Sequence, residues 1–156
     1  NIDPAPIEEL LYRHPAVALA AVVGQPDAYA GELPVAYVQL KPGATHQMSE
    51  LMAYLKEHTP ERAAVPVALH PVDPMPLTAV GKIFKPALRV DAMRRVAERL
   101  LEGLADLNVE VLPHATHGQV IRVRLSAVAG TAADAIEAQV HARLDPLAVR
   151  HEVLRG

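Results

Sequence analysis

A proline-rich segment over residues 73–85 constrains the fold of this chain more than any other feature. Pro74 and Pro76 fix their own φ angles and remove two backbone donors, so a helix or a central strand cannot run through them. Gly81 permits a tight turn or a close backbone approach, and Lys82 follows it directly. We therefore predict an extended loop that presents a lysine, whose mobile charge can reach a phosphate or carboxylate oxygen.

The Gly-Lys pair has ordinary interpretations when it is taken alone. An exposed lysine in a turn is common and needs no function. The segment is not a Walker phosphate-binding loop, because no glycine stands five residues before Gly81 and because Ile83 occupies the place of Ser or Thr. Lys82 and Lys85 are also too few charges to form a basic patch.

The remainder of the first 105 residues alternates between helical and extended patterns. Apolar residues at helical spacing predict helices that begin near Pro4, Met48 and Pro86, the first with Asp3 as its N-cap. Apolar runs predict three strands, over residues 16–23, 33–40 and 65–72. We expect Gly24 to end the first strand before a polar loop over residues 25–32. The third strand carries prolines, which favours the edge of a sheet.

The tail over residues 106–156 is predicted to be a ββα(β) unit. Two-residue alternation over residues 120–127 predicts a half-exposed strand, paired as a hairpin with the strand before it. Thr131 and Asp134 form a capping-box pattern for a helix whose inner face carries Ile136, Val140 and Leu144. A last strand is expected over residues 148–154. The apolar face of this unit must be covered, either by the first ninety residues or by a second chain.

Composition excludes several functional classes. The chain has 156 residues, a net charge of −3, no cysteine and no tryptophan. Nucleic-acid binding and disulfide chemistry are therefore not indicated, and no apolar run is long enough for a membrane span or a signal peptide. A cytoplasmic protein is expected. Because the chain opens with Asn inside a recognisable motif, we expect it to be part of a longer polypeptide.

Several separated motifs resemble the adenylate-forming (AMP-binding) enzymes, which include acyl-CoA synthetases, amino-acid adenylation domains and luciferases. The pattern Pro-x-Thr-x-x-Gly-Lys-Ile-x-Lys is similar to the last core motif of that family, and here it is formed by Pro76, Thr78, Gly81, Lys82, Ile83 and Lys85. The start of the chain resembles the opening of the family's small C-terminal domain. Further matches follow in the family's order at His14-Pro15-Ala16-Val17, Val22-Val23-Gly24-Gln25-Pro26-Asp27 and Gly31-Glu32.

The resemblance implies an α+β fold in which helices flank a small mixed sheet of about three strands. Residues 1–105 would form the mobile C-terminal lid domain of an AMP-forming acyl-CoA synthetase, most like a fatty-acid–CoA ligase, and residues 106–156 would be an extension. Lys82 would be the catalytic residue for adenylation. The residues that shape or anchor its loop would be Pro76, Thr78, Gly81 and Lys85.

The same resemblance implies partners and cofactors. The full-length enzyme would use ATP, magnesium and coenzyme A, but none of them would be bound by this chain alone. The lid would close on its own N-terminal adenylation domain, over the acyl-adenylate and coenzyme A, and would rotate between two half-reactions. The hinge would lie a few residues before Asn1, and the acyl substrate would be chosen by a pocket outside this chain.

Two alternatives compete with an acyl-CoA ligase. A peptide-synthetase adenylation domain would be followed by a carrier domain, but no Gly-Gly-x-Ser attachment motif occurs after Lys85. A non-catalytic interaction module would instead use the tail for docking or for homo-oligomer formation. His114 and His117 share a loop, but no cysteine or nearby carboxylate completes a four-ligand set. We therefore predict no metal site.

Overall fold

The computed structural model describes residues 2–104, 107–116, 118–125 and 131–156. The fold is α+β, with two three-stranded sheets and four α-helices among these residues, which confirms the predicted class. The chain divides into two compact units, the first made of Asn1–Gln25 and Glu32–Arg89 and the second of Pro26–Gly31 and Val90–Gly156. The domain boundary expected between Ala105 and Asp106 falls outside the described residues. Within the described ranges, no helix combines the length and the apolar composition that a bilayer crossing needs.

The first unit is built on a sheet with the strand order β1-β2-β3. Its elements are α1 (Ala5–Arg13), β1 (Val17–Asp27), β2 (Gly31–Leu40), α2 (Met48–His58) and β3 (Leu69–Pro71). β3 runs parallel to β2, with Ala36 opposite Leu69. β1 is joined to β2 only by residues 28–30, a connection short enough for antiparallel pairing alone. The sheet is therefore mixed, as the family resemblance implies.

An aliphatic core holds the first unit together. One face of each helix packs onto β1 and β2, as the helical spacing predicts, and the buried members are Ile7, Leu11, Val17, Ala20, Val22, Ala36, Val38, Leu51 and Leu55. Met48 packs against the same core, so this methionine fills space rather than forming a functional site.

Three boundaries in this unit differ from the sequence-based expectation. α1 is capped by Pro4, and Asp3 only accepts a hydrogen bond from the Ala5 backbone N–H at 3.4 Å. β1 continues through Gly24 to Asp27, and the missing side chain at Gly24 leaves room for the carboxylate of Glu32. The third strand is much shorter than predicted, since prolines at both ends leave few donors for pairing, and a 3-10 turn over Arg62–Ala64 precedes it.

The second unit is a ββαβ arrangement, as the sequence predicts. β4 (Leu107–His114) pairs antiparallel with β5 (Gly118–Leu125), and β5 pairs parallel with β6 (Arg150–Arg155). The helix α4 (Thr131–Leu144) joins the two parallel strands, which is the usual way to connect such a pair. His117 and residues 126–130 lie outside the described residues.

The apolar face of the second unit is buried in a core of its own. The inward residues of β5 are Ile121, Val123 and Leu125, as their alternation predicts. They pack with residues of α4 and with the second half of α3 (Lys85–Leu100), and the other buried members of this core are Val96, Ala97, Leu101, Val140, Leu144 and Leu147. The second half of α3, which follows the first ninety residues, therefore covers part of the apolar face of this unit.

Polar side chains on α4 and β6 form a second contact between these elements. Arg155 bonds to Asp134 and Glu137, and these hydrogen bonds raise the pKa of its guanidinium. Burial lowers the pKa of His151, and the neighbouring His141 acts in the same direction. The imidazole of His151 is therefore neutral around neutral pH.

Candidate functional site

The segment that carries the Gly-Lys pair folds back on itself as a short hairpin, which we call the lysine loop (residues 76–84). Leu77 and Ile83 form an antiparallel bridge, and the Phe84 backbone N–H donates to the Pro76 carbonyl at 2.8 Å. The segment is a loop without a regular strand, as predicted, but it folds back on itself instead of staying extended. The prolines limit regular strand pairing at the entry, but the residues after Pro76 pair with each other.

Thr78 closes the tip of the lysine loop. Its backbone N–H donates to the Lys82 carbonyl at 2.7 Å, and its hydroxyl oxygen accepts from the Lys82 backbone N–H at 3.1 Å. Its carbonyl accepts from the Gly81 backbone N–H at 2.9 Å. Both backbone polar groups of Lys82 are thus bonded to one threonine, which fixes where the lysine side chain leaves the loop.

Gly81 makes this turn sterically feasible. Its φ angle is +85°, in the left-handed region that side chains with a Cβ rarely adopt. A turn followed by a left-handed residue is a common way to close a short hairpin. The glycine before Lys82 is therefore required by backbone geometry, and an added Cβ would meet no atom within 4 Å.

The lysine loop presents an exposed cation among exposed apolar side chains. Lys82 is exposed and makes no ion pair with any residue in the described ranges. Val80, two residues before it, is 81% exposed, and Leu77 and Phe84 are each nearly half exposed. The lysine loop therefore combines one exposed cation with three exposed apolar side chains.

Lys85 anchors the far end of the lysine loop. Its ammonium lies 2.9 Å from Oε2 of Glu8, and the same oxygen accepts a hydrogen bond from the Val22 backbone N–H at 2.8 Å. Lys85 is also the first residue of α3. One carboxylate therefore connects α1, β1 and the exit of the loop, and Lys85 is engaged in this contact rather than directed at a ligand.

The entry to the lysine loop is fixed by a second contact. Met75 is 2% exposed, and its backbone N–H donates to Oε1 of Gln39 at 2.7 Å. Gln39 lies on β2, so the sheet holds the chain just before the lysine loop begins.

The structure thus brings together all the residues that the sequence singles out for this site. Pro76, Thr78, Gly81 and Lys82 share backbone contacts in one hairpin, and Lys85 is tied down beside it. Sequence reasoning missed Glu8 and Gln39, which hold the two ends of the loop. A glutamate on the first turns of α1 gives no local signal, because its partner lies far away along the chain.

The histidine pair considered from the sequence is only partly described. The Nδ1 atom of His114 accepts a hydrogen bond from the Thr116 backbone N–H at 3.1 Å. His117 lies outside the described residues, so the structure does not test the pair.

Comparisons with known proteins identify relatives of this chain. Residues 6–82 match the family model of the AMP-binding enzyme C-terminal domain. The chain is 39% identical over 150 residues to the marinolic acid–CoA ligase of Pseudoalteromonas sp. (strain SANK 73390), an alignment that covers 94% of this chain and 23% of that protein. It is 46% identical over 89 residues to the putative acyl-CoA synthetase YngI of Bacillus subtilis (strain 168), which covers 57% of this chain and 16% of the relative.

Solved structures of adenylate-forming enzymes are also similar to this chain. The anthranilate CoA ligase AuaEII in complex with anthranoyl-AMP superposes with a TM-score of 0.55 and 30% sequence identity, over 62% of this chain and 19% of that one. The chain spans about a quarter or less of the length of these relatives. Through residues 6–82, which carry the lysine loop up to Lys82, this chain belongs to the AMP-binding enzyme C-terminal domain family.

Proposed function

We propose that this chain is the mobile lid of an AMP-forming acyl-CoA ligase and that Lys82 is its catalytic residue for adenylation. The observation that carries this proposal is an exposed lysine at the tip of a closed hairpin, in a domain of this family. The backbone of Lys82 is fixed while its side chain is free to enter a second surface. A non-catalytic interaction module is not favoured, because the relatives that match this chain are ligases.

The first half-reaction explains why a lysine is needed. An oxygen of the substrate carboxylate forms a bond to the α-phosphorus of ATP, the bond to the β-phosphate oxygen breaks, and pyrophosphate leaves with the electron pair. Two anions must approach each other, and negative charge gathers on the carboxylate and phosphoryl oxygens. An ammonium aimed at both stabilises the transition state more than the separated reactants.

The lysine loop is suited to deliver that charge. The ammonium of Lys82 is compact and sits on a long stem, so it can reach into a pocket formed by another domain. The exposed apolar side chains of Val80 and Phe84 would be covered when the lid closes. Closure would also exclude water, which strengthens each electrostatic contact inside the site.

The second half-reaction would use another face of the lid. The thiol sulfur of coenzyme A bonds to the acyl carbon, AMP leaves with its electron pair, and the thiol proton passes to solvent or a base. Lys82 has no role in this step, so the lid must withdraw the lysine loop and present a different surface. Lys82 would therefore contribute to the first step alone.

We further propose the context of this reaction. ATP, magnesium and coenzyme A are bound when the full-length enzyme is assembled, and its own N-terminal domain holds the acyl pocket, so this chain alone is inert. Magnesium, when bound, neutralises charge on the departing pyrophosphate. Fatty acids are the substrate class and the cytoplasm is the compartment that we propose.

Residues 1–105 are proposed to act as the lid and residues 106–156 as an extension. The alignment to the marinolic acid–CoA ligase covers 94% of this chain, so it includes most of the tail. If the tail also supports homo-oligomer formation, it must use exposed residues, because Val140 and Leu144 are buried within its own unit.

The test uses the full-length protein that carries this chain. Lys82→Ala is compared with the wild type in ATP–pyrophosphate exchange over a panel of carboxylates, and in thioester formation from a preformed acyl-adenylate. Loss of one charged donor should lower exchange by roughly 100-fold to 1,000-fold, while thioester formation stays within a few-fold. Lys56→Ala, on the exposed part of α2, is the matched control and should leave both rates unchanged.

The two assays separate the outcomes. Loss of exchange with retention of thioester formation supports the proposed role of Lys82. Retention of both activities would overturn it. Equal loss of both would also overturn it, because the lysine would then serve the folding or docking of the lid rather than the first chemical step.

A further inference from the structure

Three metal-ligating side chains meet in the second unit, among residues that the lysine loop does not use. His141 lies on the last turn of α4, Asp145 follows the end of that helix, and His151 lies on β6. One ligand atom from each of these residues lies within 4.8 Å of those of the other two. The Nδ1 atom of His141 is 2.7 Å from Nε2 of His151, and that Nε2 is 3.6 Å from Oδ1 of Asp145.

A helical turn and a pair of parallel strands bring these three residues together. His141 and Asp145 are four residues apart and therefore lie on one face of the helical turn, which the hydrogen bond from the Asp145 N–H to the His141 carbonyl extends at 2.8 Å. His151 is placed opposite by the parallel pairing of β6 with β5, where it stands beside Ile121.

Glu137 lies near the place of the outer hydrogen-bond partner that a metal-binding histidine usually has. It lies one helical turn before His141, and its Oε2 atom is 3.6 Å from the Nε2 atom of that ring. Its other oxygen is held by Arg155 at 2.9 Å. Moved to hydrogen-bond distance, this carboxylate would hold the proton on Nε2 and leave the lone pair of Nδ1 available to an ion.

We propose that His141 Nδ1, His151 Nε2 and an oxygen of Asp145 bind a divalent transition-metal ion of the zinc type. Two imidazoles and one carboxylate are a common ligand set for this ion, and three protein ligands leave a fourth position for water. That position is open to solvent, because the side chain of Asp145 is 68% exposed while that of His151 is 9% exposed. The sequence alone predicts no metal site, and this proposal departs from it.

The distances fit such an ion after a small movement of side chains. With zinc–ligand bonds of roughly 2.0–2.2 Å, neighbouring tetrahedral ligand atoms are about 3.3 Å apart. The Asp145–His151 distance of 3.6 Å is close to this value, and the histidine nitrogens at 2.7 Å must separate slightly. The ring of His141, whose side chain is 42% exposed, can make this movement by rotation about its side-chain bonds.

The bound ion would connect the end of α4 to β6. These elements are otherwise joined by their apolar core and by the bonds of Arg155. Metal binding to the folded state alone stabilises that state, so zinc should raise the unfolding temperature of the protein. The site would act as a clamp on the tail and would not take part in adenylation.

The test is a titration of the intact, metal-free protein with Zn²⁺ by calorimetry, and with Co²⁺ by visible absorption, which reports tetrahedral coordination. We expect the wild type to bind one ion per chain, and Asp145→Asn and His151→Gln each to lower the affinity more than tenfold. Glu137→Gln should lower affinity by roughly 10-fold to 100-fold, as outer contacts do. His58→Gln, which removes an exposed imidazole from α2, is the control and should bind like the wild type.

Two results would overturn the proposal. One is a wild-type protein that shows no saturable zinc binding and no rise in unfolding temperature with zinc. The other is equal binding by the wild type and by Asp145→Asn, whose exposed side chain can change without loss of folding. Circular dichroism of each variant without metal checks that folding is retained, and the Asp145 variant keeps the test decisive if His151→Gln is unstable.

Discussion

The Lys85 ammonium lies 2.9 Å from the Glu8 carboxylate, and it thereby fastens the exit of the lysine loop to the first helix of the chain. The pair is mostly shielded, with side-chain exposures of 29% and 22%. The same carboxylate oxygen also accepts the Val22 N–H of β1. One glutamate therefore has two separable duties, an ion pair and a backbone hydrogen bond.

Two substitutions at Glu8 should separate those duties. Glu8→Gln keeps an acceptor for Val22 and removes only the charge, so we expect a loss in unfolding free energy of at most about 1 kcal/mol. Glu8→Ala also leaves the Val22 backbone N–H without this acceptor, and we expect it to lower the free energy of unfolding by about 1–3 kcal/mol. Urea denaturation measures both values. Equal costs for the two variants would show that the backbone bond contributes nothing.

Gly81→Ala should lower the free energy of unfolding by about 1–2 kcal/mol, because alanine is strained at the left-handed backbone angle. The added Cβ itself would meet no steric clash. Because strain at this position opens the turn that holds Lys82, adenylation should fall more than tenfold. Gly43→Ala is the matched control, since Gly43 has a φ angle of +82° and equally open surroundings in a different turn. It should lower stability similarly and leave adenylation intact. A similar fall in activity for both variants would mean that general stability, not loop geometry, limits the reaction.

Leu144→Ala should destabilise the second unit by about 2–5 kcal/mol, because the side chain is 0% exposed in an aliphatic core. Gln139→Ala, at an exposed position of the same helix, should change the unfolding free energy by less than about 0.5 kcal/mol. Denaturant unfolding compares them, and sedimentation at several concentrations reports assembly. Dissociation of an oligomer by Leu144→Ala without loss of folding would contradict the placement of this residue inside its own unit.

His14 should make stability depend on pH. Its Nδ1 atom accepts a hydrogen bond from the Ala16 N–H at 3.1 Å, which requires the neutral ring. Burial lowers the pKa of His14, the neighbouring His46 lowers it further, and Glu50 opposes them. The unfolded chain thus binds a proton at higher pH than the folded one, so stability should fall as the pH drops below about 6.5 towards the folded pKa.

His14→Asn tests this sign, because its amide oxygen can accept the same hydrogen bond without titrating. Thermal unfolding from about pH 8 to about pH 5 should show a shallower decline for the variant than for the wild type. Proton NMR of the His14 ring gives its pKa directly. A value above the ordinary histidine range would contradict the expected direction.

Much of the fold follows from local patterns that the structure preserves. The alternation along β5 predicts which side chains enter the core, and Ile121 and Val123 are both 0% exposed. The helical spacing in α1 likewise predicts that Ile7 and Leu11 are buried. These predictions are correct because the residues on the buried face of a helix or strand recur with the period of that element.

The boundaries and long-range contacts could not be predicted in the same way. The sequence predicts that the strand ends at Gly24, yet the strand passes through it, and the glycine is needed there because the Glu32 side chain occupies the space of a Cβ. The contact of Glu8 with Lys85 joins positions that are far apart along the chain, and so does the hydrogen bond of Gln39 to Met75. Such contacts depend on how helices and strands pack in three dimensions. The periodicity of a single sequence gives no information about that packing.

The hydrogen bonds of Thr78 to both backbone groups of Lys82 have a consequence for how this protein can fail. The side chain of the lysine carries no part of the folding of its loop, so its charge can be removed without disturbing any contact in the described structure. If Lys82 has the role proposed above, a neutralised lysine would leave a protein that folds and melts normally but has lost the adenylation step. Defects of this kind escape every screen for stability and are visible only when turnover is measured.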